Sequence, residues 1–141
     1  MSIWFIRPDL EIINQFHTTT MAGGLGIVVT EIGDDYLKGT MPITNNTVQP
    51  FRVMHGGASA AMAETLGSVA SNFVIDSSKK RCVGLSLNVS HIRAVREGGV
   101  VTGIAKAFHI GRTTQVWDIQ ITDERDKLAT VARLTMAVLD I

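Results

Sequence analysis

Residues 49–68 of this chain combine residue types and spacing suited to chemistry on a carbonyl group. They read Gln49-Pro50-Phe51-Arg52-Val53-Met54-His55-Gly56-Gly57, then pass through alanines to Glu64-Thr65-Leu66-Gly67-Ser68. A loop glutamine thus leads into His-Gly-Gly at the start of a helix, and a carboxylate follows about two turns later. The first N–H groups of a helix lack intrahelical acceptors and carry the positive end of the macrodipole, so a developing oxyanion is stabilised there. Glycine lets a carbonyl approach the backbone closely, which makes the Gly56 amide the candidate oxyanion donor. Glu64 lies about 12 Å further along the helix axis, too far to meet the same carbonyl carbon. If the two cooperate, Glu64 must come from the antiparallel helix of a neighbouring subunit, an arrangement a two-fold axis supplies. Glu64 and Ser68 share one helix face at i and i+4, where the hydroxyl could hold a water beside the carboxylate.

Each of these residues has a plainer reading. A glutamate in an alanine-rich helix is usually solvated, although its neighbours here are small or apolar, which favours function. His55 could act as a structural cap or as a catalytic imidazole. Gln49 alone is an ordinary loop residue and gains meaning only beside Gly56 and Glu64. Ser68 could serve close helix packing alone. His91 and Arg93 are expected on one face of a strand, with a second basic turn at His109, Gly111 and Arg112. Both could meet phosphates or be simply solvated. Gly23-Gly24-Leu25-Gly26 precedes a strand and is a weak match to a phosphate-binding loop. No His-x-x-x-His spacing exists, so neither a metal site nor a resident cofactor is expected.

The elements that must position these residues can be read from period and punctuation. Asp9 to Phe16 is expected as a short helix capped by Asp9, with Leu10, Ile13 and Phe16 on one face and a break at Thr18–Thr20 and Gly23-Gly24. Leu25–Ile32 and Tyr36–Ile43 read as a hairpin across Gly33-Asp34-Asp35, followed by loop from Thr44 to Gln49. Gly57 to about Ile75 is the long helix. Its small residues imply close backbone approach on most sides, so it is expected inside a sheet. Four strands follow, Cys82–Ala94, Val100–Ile110, Gln115–Thr122 and Leu128–Leu139, and Gln115, Trp117, Ile119 and Ile121 alternate as a drier face. The fold expected is α+β, an antiparallel sheet of about six strands around one central helix. Its other face or open edge is expected to meet a second subunit.

Composition bounds the rest. The 141 residues, 45% hydrophobic and 18% charged, suit one domain spanning 1–141. Thirteen Lys plus Arg balance thirteen Asp plus Glu, so no overall field draws the chain to nucleic acid or to an anionic membrane. The lone Cys82 excludes an intramolecular disulfide and favours a reducing compartment. The start Met1–Pro8 has no leader pattern, and no apolar run could span a bilayer, so a cytoplasmic protein is expected.

Gln49, His55-Gly56-Gly57 and Glu64-Thr65-Leu66-Gly67-Ser68 resemble the hotdog thioesterases of the phenylacetate-pathway type, particularly the bacterial branch acting on aromatic acyl-CoA or aryl-carrier-protein thioesters. Ile3-Trp4, Ile32-Gly33-Asp34-Asp35, Met41-Pro42, His91-Ile92-Arg93, Arg96-Glu97-Gly98, His109-Ile110-Gly111-Arg112 and Gln115-Val116-Trp117 extend the resemblance over nearly the whole chain. It implies dimers that pair into tetramers, with acyl-CoA or an acyl carrier protein as partner. It also implies that Gly56 polarises the thioester while His55 and Gln49 orient it or the water. Glu64 of the partner chain would then act as base, or as nucleophile through a mixed anhydride. Coenzyme A would lie along Gly84, His91, Ile92, Arg93, Ala94, His109, Ile110, Gly111, Arg112, Thr113 and Thr114. Two segments depart from the pattern: Met21–Gly24 is smaller than expected and Arg52 stands where an apolar residue or glycine is usual. A hotdog dehydratase and a non-catalytic acyl-CoA-binding protein are the alternatives.

Overall fold

In the computed structural model, which describes residues 1–141, α1 (Leu10–His17) starts at Asp9, whose carboxylate accepts from the Ile12 amide at 3.1 Å. Ile13 is buried, whereas Phe16, expected on the same inward face, is 73% exposed. A second short helix, α2 (Met21–Gly24), occupies the stretch where the sequence predicts only a break. Gly23 makes this possible, since a Cβ there would lie 2.2 Å from the His17 carbonyl oxygen. The Ile27 amide then returns to the Ala22 carbonyl at 2.9 Å, so β1 begins at Val28 rather than Leu25.

The remaining elements are β1 (Val28–Ile32), β2 (Tyr36–Pro42), α3 (Gly56–Val74), β3 (Lys80–His91), β4 (Val100–Ile110), β5 (Thr114–Thr122) and β6 (Leu128–Asp140). The six strands form one sheet in the order β1-β2-β4-β5-β6-β3, every pair antiparallel. This is the expected six-stranded sheet with the long helix against one face. β3 ends three residues early, because the Ile92 and Arg93 amides both turn to the Ala129 carbonyl, at 2.8 and 3.1 Å. His91 and Arg93 therefore do not share a strand face as the sequence suggests.

Helix α3 is seated by small residues on both sides. Met62, Ala63, Leu66 and Ala70 are fully buried against Trp117, Ile119, Ile121, Leu134 and Met136. Gly39 and Gly103, opposite each other in β2 and β4, form a trough for Leu66. A Cβ at either would come within 2.9 Å of a Leu66 methyl. Gln115, Trp117, Ile119 and Ile121 are all buried, as the alternation predicts.

The outer face of the sheet carries ion pairs, Lys106–Asp35 at 3.5 Å and Arg133–Asp118 at 2.9 Å, with Ile104 and Phe108 exposed between them. β3 is an edge strand of 12 residues, and Val83 and Leu85 on it are 40% and 61% exposed. A long apolar edge of this kind is a template for pairing with another chain. No helix is long and apolar enough to cross a membrane.

Candidate functional site

The segment before α3 folds as a tight turn. The Gln49 amide donates to the Val53 carbonyl at 2.9 Å, and the Arg52 amide to the Gln49 carbonyl at 2.8 Å. Arg52 sits at φ 63°, a left-handed conformation uncommon for a residue with a side chain. Its guanidinium holds that geometry, reaching Glu97 through Nε at 2.8 Å and Nη2 at 2.6 Å, and Asn45 at 2.6 Å. This pairing raises the Arg52 pKa and lowers that of Glu97, each mainly through the shared hydrogen bonds. Arg52 thus braces the turn that bears Gln49. The Gln49 side-chain oxygen accepts from the Phe51 amide, which leaves its –NH2 group to donate elsewhere.

His55 caps α3, its Nδ1 accepting from the Gly57 amide at 2.8 Å. In the neutral ring the proton is then on Nε2, an available donor. The structural and the catalytic readings of His55 are therefore compatible. The amides of Ala58 and Ser59 turn back to the His55 carbonyl at 2.9 and 3.2 Å, while the Gly56 amide meets no acceptor in the chain. The His91 ring stands over Gly56, where a Cβ would lie 2.9 Å from Nε2. Ser59 Oγ donates to the Gly56 carbonyl at 2.9 Å and lies 3.4 Å from His91 Nδ1. A cleft of about 300 Å³ opens here, lined by Gln49, Val53, Met54, Gly56, His91, Ile92, Arg93, Ala94 and Thr130. Six residues singled out in the sequence are thus gathered in one place.

The others lie elsewhere in the same chain. Glu64 is exposed, and its Oε1 is 2.8 Å from where a Cβ of Gly84 would stand, so glycine at 84 makes room for the carboxylate. Gly84 pairs with Met136 and His91 with Thr130, so the strand between them spans roughly 23 Å at 3.3 Å per residue. The turn after β4 is at Gly84's end of the sheet, since Gln115 also pairs with Met136. There the Gly111 amide donates to the Thr114 carbonyl at 2.8 Å, the Val138 amide to the Thr113 carbonyl at 2.9 Å, and His109 folds over Gly111. Ile110 and Arg112 are exposed. One chain therefore carries two separated groups: Gln49, His55, Gly56 and His91–Ala94 at one end, Glu64, Gly84 and His109–Thr114 at the other.

Ser68 makes no side-chain hydrogen bond to Glu64. It lines a different cleft of about 240 Å³ with Ile13, Phe16, His17, Val69, Asn72 and Phe73. Two residues overlooked in the sequence have buried polar atoms without partners, His17 Nδ1 and Thr130 Oγ1. Only helical period marks His17, and Thr130 reads as one more β-branched strand residue.

Burial holds the His17 pKa below its ordinary 6.5. The unfolded chain therefore binds the proton more readily, so stability is full above about pH 6.5 and is lost as pH falls from there towards the folded value. His17→Leu is expected to flatten the decline of Tm between about pH 7.5 and about pH 5.5. An identical decline in both proteins would show that His17 is not the group responsible.

No cluster of His, Cys, Asp and Glu could hold a metal ion. Residues 51–130 match the Thioesterase superfamily. The chain is 43% identical over 137 residues to the 1,4-dihydroxy-2-naphthoyl-CoA hydrolase of Escherichia coli, covering 97% of this chain and 99% of that protein. It is 44% identical over 137 residues to the proofreading thioesterase EntH of Cronobacter sakazakii, covering 97% and 98%. The crystal structure of the Q49A mutant of thioesterase PA1618 from Pseudomonas aeruginosa aligns with a TM-score of 0.97 at 44% identity, covering 99% of this chain and 100% of that one. With its hotdog arrangement of six antiparallel strands about a long helix, the chain belongs to the thioesterase superfamily.

Proposed function

We propose that the protein hydrolyses acyl-CoA thioesters, with aromatic acyl groups preferred, at sites completed by two chains. The observation that carries this reading is the unpartnered Gly56 amide at the start of α3, in one cleft with Gln49 and His91. The thioester oxygen accepts from that amide, while His55 Nε2–H and the Gln49 –NH2 group orient the thioester or the water. Glu64 arrives from the partner subunit, because the geometry within one chain keeps it away. A two-fold axis crossing β3 between Gly84 and His91 brings the Glu64 end of one chain beside the Gly56 end of the other. The exposed β3 edge suits such pairing, and the dimer is the unit from which a tetramer would assemble.

Chemistry then follows one of two balanced routes. As general base, Glu64 takes a proton from water, the resulting hydroxide adds to the carbonyl carbon, and the C–S bond breaks to release the thiolate, which takes up a proton. As nucleophile, the Glu64 carboxylate adds instead, forming a mixed anhydride with loss of thiolate, and water then cleaves the anhydride. Ser68, one turn beyond Glu64, steadies the water. Gly84, His91–Ala94 and His109–Thr114 together meet coenzyme A, each chain supplying one of the two groups at a given site. The aromatic preference follows the naphthoyl-CoA hydrolase relative, and the EntH relative favours a carrier-protein thioester as the second reading. With one free thiol, a reducing cytoplasm is the compartment proposed.

The test is release of free thiol from a panel of aromatic and aliphatic acyl-CoA substrates. Aromatic substrates are expected to turn over with the higher kcat/KM. Turnover of aryl-carrier-protein thioesters alone would select the second reading, and no turnover of either class by folded protein would leave a binding protein.

A further inference from the structure

In β6, the residues facing α3 are Thr130, Ala132, Leu134, Met136 and Val138, all buried, and threonine is the polar member of the row. Thr130 is 0% exposed, yet its Oγ1 meets no partner. A hydroxyl removed from water without a hydrogen bond is destabilising, and valine would fill the same shape without that cost. The position is not remote from the chemistry. Thr130 faces His91 across the ladder and lines the cleft that holds the free Gly56 amide and Gln49.

The geometry points to Thr130 as a further substrate-contacting residue, its hydroxyl donating a second hydrogen bond to the thioester oxygen held at the Gly56 amide. This inference rests on the thioesterase reading. An unpaired donor lining the same cleft as an unpaired backbone amide is what a site for a carbonyl oxygen requires before the substrate arrives. The hydroxyl has no other partner to give up, so binding the substrate satisfies a donor that folding leaves unmet.

The experiment compares full-length wild type with Thr130→Val and Thr130→Ser. The readouts are Tm, kcat and KM on an aromatic acyl-CoA, and Kd for its non-hydrolysable counterpart, in which a methylene separates sulfur from the carbonyl. Thr130→Val is expected to melt at or above the wild-type temperature while losing about tenfold in kcat/KM and in analogue affinity, the effect of one hydrogen bond. Thr130→Ser, which keeps the hydroxyl, is expected to remain within about threefold of wild type. If Thr130→Val fails to fold, Thr130→Ala carries the same expectation. Wild-type turnover and analogue binding in the hydroxyl-free variant would overturn the role of Thr130 and leave the thioesterase reading standing. A wild type that neither hydrolyses nor binds these compounds would overturn both, and one that binds without hydrolysis would be judged on the affinity ratio.

Discussion

Glu64→Gln is expected to lower kcat/KM for a hydrolysed acyl-CoA by about 10²- to 10⁴-fold, the range associated with a positioned general base, and by at least as much if the carboxylate is the nucleophile. The loss should fall on kcat, because the proposed role of Glu64 is on the reacting atoms rather than the coenzyme. Folding should be unaffected. Glu64 is exposed, it forms no hydrogen bond or ion pair within the chain, and glutamine has the same shape beside Gly84. A variant with near-wild-type turnover would remove Glu64 from the mechanism.

The same variant tests whether the site is shared. Chains bearing Glu64→Gln retain Gln49, His55 and Gly56, whereas chains bearing Gln49→Ala and His55→Ala retain Glu64. Each homodimer should be inactive, but a mixed dimer contains one intact site of two and should recover activity accordingly. No recovery in verified mixed dimers would count against a site built from two chains. Sequence alone raises this arrangement from the helix rise between Gly56 and Glu64. The strand register adds that Gly84 lies with Glu64 and that His91 lies with Gly56.

What sequence made legible, and what it did not, divides along the range of the interactions involved. The start of α3 is readable because His55-Gly56-Gly57 is a local signal, and its interior position is readable because small residues run on both flanks. The face of β5 was readable from simple alternation at Gln115, Trp117, Ile119 and Ile121. α2 was not, since it depends on Gly23 passing close to the His17 carbonyl. The end of β3 is not legible locally, because the Ala129 carbonyl, far along the chain, draws off two amides. The role of Arg52 is not legible locally, because its partner Glu97 lies 45 residues along the chain. Phe16 has helical spacing, but α1 buries only Ile13. Thr130 gave no signal at all, because β-branched residues are common in strands and only its unmet hydroxyl distinguishes it.

Trp117→Ala should be among the most destabilising single changes, costing about 3–5 kcal/mol for the lost ring and the cavity it leaves. Trp117 is fully buried between Ala107 of β4 and Leu134 of β6. Its indole N–H donates to Gln115 Oε1 at 2.9 Å, and Gln115 Nε2 reaches the Ser71 carbonyl of α3 at 3.4 Å. Asn72 continues the connection, donating to the Ser68 carbonyl at 2.9 Å and accepting from the Cys82 amide at 3.0 Å. Burial pushes the Cys82 thiol up, so it stays protonated and able to donate weakly to the Ser71 carbonyl. The tryptophan therefore ties the sheet to the half of α3 that carries Ser68, a turn beyond Glu64. Its removal also strands the Gln115 oxygen in the core. Tm should fall by about 10–15 °C for a chain of this length. Trp117→Phe separates the two contributions: it keeps most of the buried area but loses the N–H, and should cost about 1–3 kcal/mol. Urea unfolding of both variants gives the measurement, and a loss within about 1 kcal/mol of wild type for Trp117→Ala would mean the core closes around the cavity. Below its melting temperature Trp117→Ala should still bind at the Gly56 cleft, since the His55-capped N-terminus of α3 lies far from the Ser71 anchor.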